Sequence, residues 1–136
     1  MQIRAYRDGD FSMVAILLRE TGLFYRRSDK KELYHRKIEQ DPNSILLAEQ
    51  PPDLVGIVIS NFDPLQPSIT RLATSPRYQS KEIRDMLLKE AEKRLKEKGA
   101  ETVTLFIGEE NQDFLKYCKD AGYIAVDKSV ALMKRF

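Results

Sequence analysis

Apolar and polar positions follow two different periods along this chain, and the places where the period changes mark its elements. Gln2–Tyr6 reads as a short strand. Asp8-Gly9-Asp10 follows with carboxylates able to accept from the free N–H groups of a helix start. Phe11, Val14, Leu17 and Leu18 recur at helical spacing, which makes an amphipathic helix with one buried face, and Gly22 closes it. A polar, basic stretch from Tyr25 to Lys37 leads into a second helix ending near Gln40, and Asp41-Pro42-Asn43 forms a turn. The period then drops to two. Strands at Ser44–Ala48 and Leu54–Ser60 flank Gln50-Pro51-Pro52-Asp53, and Val55, Ile57 and Ile59 are β-branched residues suited to a packed, pleated surface.

A fourth strand, Ile69–Thr74, stops at Ser75-Pro76. The longest helix follows, from about Ser80 to Lys98, with Ile83, Met86, Leu87, Ala91 and Leu95 on one stripe. Gly99 occupies the position a left-handed C-cap requires. A fifth strand is expected over Glu101–Ile107 and a helix over Gln112–Ala121. Two closing strands are expected near Ile124–Val126 and Val130–Met133. The order β-α-α-β-β-β-α-β-α-β-β predicts an α/β chain with a mixed sheet, antiparallel at its centre and entering a parallel strand-helix-strand crossover. Nothing divides the 136 residues, so one domain spanning 1–136 is expected.

Composition narrows the chemistry. Apolar residues are 42% and charged residues 32%, the balance of a globular domain rather than a disordered chain. No apolar run approaches the roughly 18 residues that span a membrane, and the opening residues have no signal-peptide apolar stretch. A single cysteine, Cys118, excludes an internal disulfide, and with a single histidine, His35, a His/Cys zinc site lacks ligands. The net charge of +2 is too balanced to argue for nucleic acid by itself. A cytoplasmic domain without a metal is the expectation.

The informative stretch runs from Leu72 to Leu88, where a strand passes through a short loop into the long helix. A helix amino terminus presents free N–H groups and a partial positive charge, and Arg77, Lys81 and Arg84 add cations beside it. Here the chain resembles the GNAT family of N-acetyltransferases, whose loop reads Arg/Gln-x-x-Gly-x-Gly/Ala. Gln79 takes the first loop position, while Glu82 and Arg84 stand where the glycines usually lie. The resemblance is to small stand-alone prokaryotic members and extends over essentially the whole chain. It implies the GNAT-like acyl-CoA N-acyltransferase fold, a central mixed sheet flanked by helices on both faces and splayed between strands four and five. It also implies acetyl-CoA as co-substrate. Backbone groups at Leu72 and Thr74 would pair with the pantetheine arm, and the segment Gln79, Ser80, Lys81, Glu82, Ile83, Arg84 would hold the pyrophosphate. Glu82 places a negative charge beside an anion; two unit charges about 4 Å apart interact by about 1 to 4 kcal/mol. Arg84 is the offsetting cation.

A second landmark is the family pattern Asn-x-x-Ala-x-x-x-Tyr-x-x-x-Gly-Phe/Tyr. Asn111, Gly122 and Tyr123 fall on it, and Cys118 takes the place of the tyrosine that protonates departing CoA. The resemblance therefore places Asn111 near CoA and Cys118 at the acid position. Tyr117 lies about 100° round the helix from it. No carboxylate occupies the fourth strand, where Arg71 stands; Glu49, Asp63, Glu109 and Glu110 lie at expected strand ends and are equally ranked as bases.

Each feature also has a plain structural reading. Asp85/Lys89, Glu90/Arg94 and Glu92/Lys96 are spaced as ordinary surface-helix pairs. Cys118 suits a small buried apolar position, His35 and Glu39 an exposed pair, and Gly56 either a close approach or simple packing. The stretch from Phe24 to Lys37 mixes aromatic and basic residues as single-stranded nucleic-acid surfaces do, but its acids weaken the field. By the resemblance this stretch borders the acceptor site, where its basic character favours an acidic or carboxylate-bearing acceptor. The reading is transfer of an acetyl group to an amine of a small molecule or peptide, with no membrane partner and with a homodimer left open. The alternative is a GNAT-fold binding or assembly module that has lost acetyl-CoA and turnover.

Overall fold

The computed structural model describes residues 1–78 and 80–136, which pack as two compact units, 1–105 and 106–136. The first unit is built on a sheet in the order β1 (Gln2–Ala5), β2 (Ile45–Gln50), β3 (Asp53–Asn61), β4 (Ser68–Thr74) and β5 (Thr104–Leu105). Neighbours are antiparallel until β4, which pairs with β5 in parallel. A cis Pro51–Pro52 bond lies in the β2–β3 turn.

Strand alternation divides the core in two. Ile45, Leu47, Ile57, Ile59 and Ala73 face one way and bury against Val14, Leu17 and Leu18 of α1 (Phe11–Glu20) and Tyr34 of α2 (Lys31–Gln40). The Tyr34 ring meets Tyr6 and Phe11 edge-on, each at 5.4 Å. The opposite face carries α3 (Ser80–Glu97), which packs on β2, β3 and β4. Its buried stripe is Ile83, Leu87, Ala91 and Leu95, joined by Leu88, each no more than 3% exposed. Met86, expected on that stripe, is only half-buried, because at about 100° per residue it falls about 120° round the helix from the middle of the stripe. Burying one such aliphatic side chain contributes about 1.5–3 kcal/mol.

Gly56 lies where α3 approaches the sheet closely. A Cβ there would lie 2.7 Å from Leu87 Cδ1 and 2.9 Å from Ile83 Cγ2, so the bare backbone lets α3 settle onto β3. Gly99, with φ +102°, ends α3 as expected, and Ala100 N–H donates back to the Leu95 carbonyl at 3.0 Å.

The sheet departs from expectation at its far edge. β5 is two residues long rather than spanning 101–107. Among the described residues no strand follows α4 (Gln112–Asp120), so the closing strands expected at Ile124–Val126 and Val130–Met133 are not formed. Alternating β-branched residues suit a pleated surface, but a strand is defined by its ladder with a neighbour, which local sequence does not supply. Among the described residues no helix is long and apolar enough to cross a membrane.

Candidate active site

β4 has a paired side and an open side. Ser75 N–H donates to the Val55 carbonyl at 2.8 Å. Alternation along an antiparallel ladder then turns the N–H and C=O of Ala73 toward β3 as well, and those of Leu72 and Thr74 away from it. On that outer side the parallel ladder with β5 covers only Ser68 and Ile69. From Thr70 to Thr74 the outer edge therefore has no ladder partner among the described residues. The backbone groups of Leu72 and Thr74 face this unladdered edge, while both side chains are buried.

This open edge leads into the amino terminus of α3. Ser75 is fully buried, its hydroxyl accepts from Arg77 N–H at 3.3 Å, and its carbonyl accepts from Tyr78 N–H at 3.3 Å, which closes a tight turn. The Tyr78 hydroxyl donates to Asp53 at the start of β3, and that bond raises the phenol's pKa. Arg77 also reaches Glu20 of α1 at 3.8 Å. Gln79, the first residue of the loop pattern, lies outside the described residues. Lys81, Glu82, Ile83 and Arg84 all fall in the opening turns of α3. Ile83 is a core residue facing Gly56, so only its backbone is available to a ligand. Lys81 pairs with Asp85 at 3.0 Å, in place of the Asp85/Lys89 pair expected from spacing. Glu82 borders a cleft of about 430 Å³ that Met1, Gln50, Tyr78 and Ile83 also line.

On the other face of the sheet, the segment between α1 and α2 is tied down by a buried ion pair. Arg71 of β4 donates through one guanidinium nitrogen to both Asp29 oxygens, at 3.0 and 2.8 Å, and to the Leu23 carbonyl at 3.0 Å. The Asp29 side chain is 1% exposed and also accepts from the Tyr34 hydroxyl and the Tyr25 N–H, each at 2.7 Å. Burial and this bond raise the Tyr34 pKa. The Tyr25 ring lies 4.5 Å from the Arg71 guanidinium and 5.1 Å from that of Arg27, and Arg19 stacks over Phe24 at 4.2 Å. In the sequence Arg71 stands out only as the residue found where a carboxylate base would be sought. The available signal was a lone charge in a strand of otherwise apolar and hydroxyl residues, which demands a buried counter-ion.

The equally ranked base candidates of this unit have structural partners. Glu49 is held by Arg4, which also binds Asp10 through two 2.8 Å bonds. Asp63 caps its own turn, accepting from Leu65 N–H at 3.0 Å. His35 joins Glu39 at 3.4 Å as expected and Asp8 at 2.7 Å in addition. In the second unit, Asn111 is the N-cap of α4, its side chain accepting from Phe114 N–H at 3.3 Å. Cys118 is buried, Phe114 stacks on Tyr117 at 6.1 Å, and Glu109 pairs with Lys128 at 3.4 Å.

A mixed sheet whose fourth strand opens beside a helix amino terminus, with helices on both faces, is the architecture of acyl-CoA N-acyltransferases. The acetyltransferase (GNAT) family profile matches residues 11–123, and the chain belongs to that family. It is 29% identical over 135 residues to an acetyltransferase of Pectobacterium atrosepticum, covering 99% of this chain and 95% of that one. It is 28% identical over 123 residues to an acetyltransferase of Photorhabdus laumondii, covering 90% and 86%. Among solved structures its fold is similar to the PaiA N-acetyltransferase of Thermoplasma acidophilum in complex with coenzyme A, with TM-score 0.79, 23% identity and coverage of 94% and 92%.

Proposed function

We propose that this protein is an acetyl-CoA-dependent N-acetyltransferase acting on an amine of a small molecule or peptide, with the whole chain serving as one cytoplasmic catalytic domain. The observation that carries the reading is the open edge of β4, where backbone groups of Leu72 and Thr74 run into the amino terminus of α3. An extended pantetheine arm has amides spaced to pair with such an edge, and a pyrophosphate suits the unpaired N–H groups of a helix start. Lys81 and Arg84 supply cations at that end, with Gln79, Ser80, Glu82 and Ile83 completing the segment.

The chemistry is one exchange at carbon. The amine nitrogen attacks the thioester carbonyl, the C–N bond forms as electrons move onto oxygen, and collapse of the intermediate breaks the C–S bond. The thiolate of CoA takes up one proton, which the resemblance assigns to Cys118, and the new amide nitrogen releases one to water or a carboxylate. The assignment of Asn111 near CoA rests on the same resemblance. Positioning of amine and thioester supplies most of the acceleration, and acid–base help adds about 100- to 10,000-fold.

Calorimetric titration with acetyl-CoA, with thermal unfolding beside it, tests the reading. Ligand at about a hundred times its dissociation constant stabilises the fold by about 2.7 kcal/mol. Absence of both heat and stabilisation at millimolar acetyl-CoA rejects it. The second reading, a binding module without turnover, draws on the carboxylate of Glu82 at the α3 amino terminus and is favoured by that negative result.

A further inference from the structure

We infer that the acceptor amine is carried by an acidic molecule and that the segment joining α1 to α2 recognises its carboxylates; this deepens the acetyl-transfer reading and rests on it. Arg26, Arg27, Lys30 and Lys31 are exposed within six consecutive residues, and among the described residues none of them has an ion-pair partner. Some other cations of the same unit are paired, Lys81 with Asp85, Arg94 with Glu90 and Lys98 with Asp41, while the remaining exposed ones are spread over several elements rather than gathered in one short segment. The acid inside the cationic stretch, Asp29, is buried and its charge is taken up by Arg71, so it does not screen its neighbours. Glu32, in the first turn of α2, is the exposed carboxylate next in sequence.

The position of this stretch gives the charge a use. Arg71 precedes Leu72 on β4 and holds both the Leu23 carbonyl and the Asp29 carboxylate. The cationic segment is thereby fixed beside the strand whose open edge would carry the thioester. The Tyr25 ring, in contact with the Arg71 and Arg27 guanidinium groups, adds a further tie to the segment. A fixed set of unpaired cations attracts a multiply charged anion from a distance and orients it on arrival. A single exposed ion pair is worth little, so selectivity requires an acceptor with several carboxylates rather than one.

The test uses the full chain and begins with acetyl-CoA calorimetry, which reads the acetyl-transfer proposal by itself. Release of CoA thiol is then followed with three hexapeptides bearing free amino termini and identical except for Glu, Gln or Lys at their inner positions, and with free glutamate and glutamine as small acceptors. The expected result is a kcat/KM for the Glu peptide roughly tenfold or more above that for the Gln peptide, falling as salt is raised. R26E/K30E should erase most of that preference through KM while the melting temperature holds. Preference for glutamate without preference for the Glu peptide assigns the site to a small acceptor of the same chemistry. Binding of acetyl-CoA with equal, reversed or no acidic preference overturns the inference alone. Failure to bind acetyl-CoA overturns the transfer reading and removes the acceptor role with it. A single-stranded oligonucleotide bound more tightly than the Glu peptide, and lost in R26E/K30E, assigns the segment to nucleic acid and also overturns the inference.

Discussion

Arg71→Ala removes the guanidinium that fastens the α1–α2 segment to β4, and its cost can be worked from the contacts. Asp29 loses two charge-assisted bonds, at 3.0 and 2.8 Å, and a third bond, to the Leu23 carbonyl, is lost with them. The Asp29 side chain is 1% exposed, so water does not replace what is lost. Removing one member of a buried ion pair costs about 3–5 kcal/mol. Asp29 keeps the Tyr34 hydroxyl and the Tyr25 N–H, which places this variant near the lower end, at about 3 kcal/mol. For a chain of this size that lowers the melting temperature by about 10 °C. Chemical unfolding of the wild type, Arg71→Ala, Asp29→Leu and the double variant measures the coupling. The double variant should lose less than the two singles combined, because it leaves no buried charge unpaired. Hydrogen exchange at the Asp29 amide, which donates to the Tyr25 carbonyl at 2.8 Å, should accelerate in Arg71→Ala. A loss below about 1 kcal/mol, or additive singles, would refute the claim that this pair fixes the segment.

Three further outcomes are expected. Glu82→Gln removes a negative charge from the amino terminus of α3 and should tighten acetyl-CoA about fivefold, the effect of roughly 1 kcal/mol of relieved repulsion; unchanged or weaker binding by calorimetry contradicts this. Gly56→Val forces atoms into space within 2.9 Å of Ile83 and Leu87 and should destabilise the fold by about 1–3 kcal/mol in urea, whereas a neutral change would show that α3 is free to move off the sheet. The Arg4 bonds hold the Asp10 carboxyl below its usual range, so its stabilisation is complete above the ordinary carboxylate pKa and is lost as pH falls through the lowered value. Asp10→Asn should accordingly be less stable than wild type near neutral pH and converge with it on the acid side. Parallel pH–stability curves would be inconsistent with that linkage.

The amino-acid sequence by itself determined the order of elements through α4, because both hydrophobic periods and the helix stops are local. The stripe Ile83, Leu87, Ala91 and Leu95 and the Gly99 cap could be read from spacing and steric permissiveness alone. Family membership was legible too, in a strand-loop-helix segment and a helix with Asn111, Gly122 and Tyr123 at fixed intervals. Other features waited for the tertiary structure because they depend on residues far apart in the chain. Gly56 left two readings open until Ile83 and Leu87 were placed over it. The outward turn of the Leu72 and Thr74 backbones follows from the ladder with β3, and the short β5 from pairing at Ser68 and Ile69 alone. Asp29 looked like one acid among many bases, and Arg71 like a misplaced charge. Folding brings them together across 42 positions, where each removes the other's cost of burial and leaves the neighbouring cations unscreened.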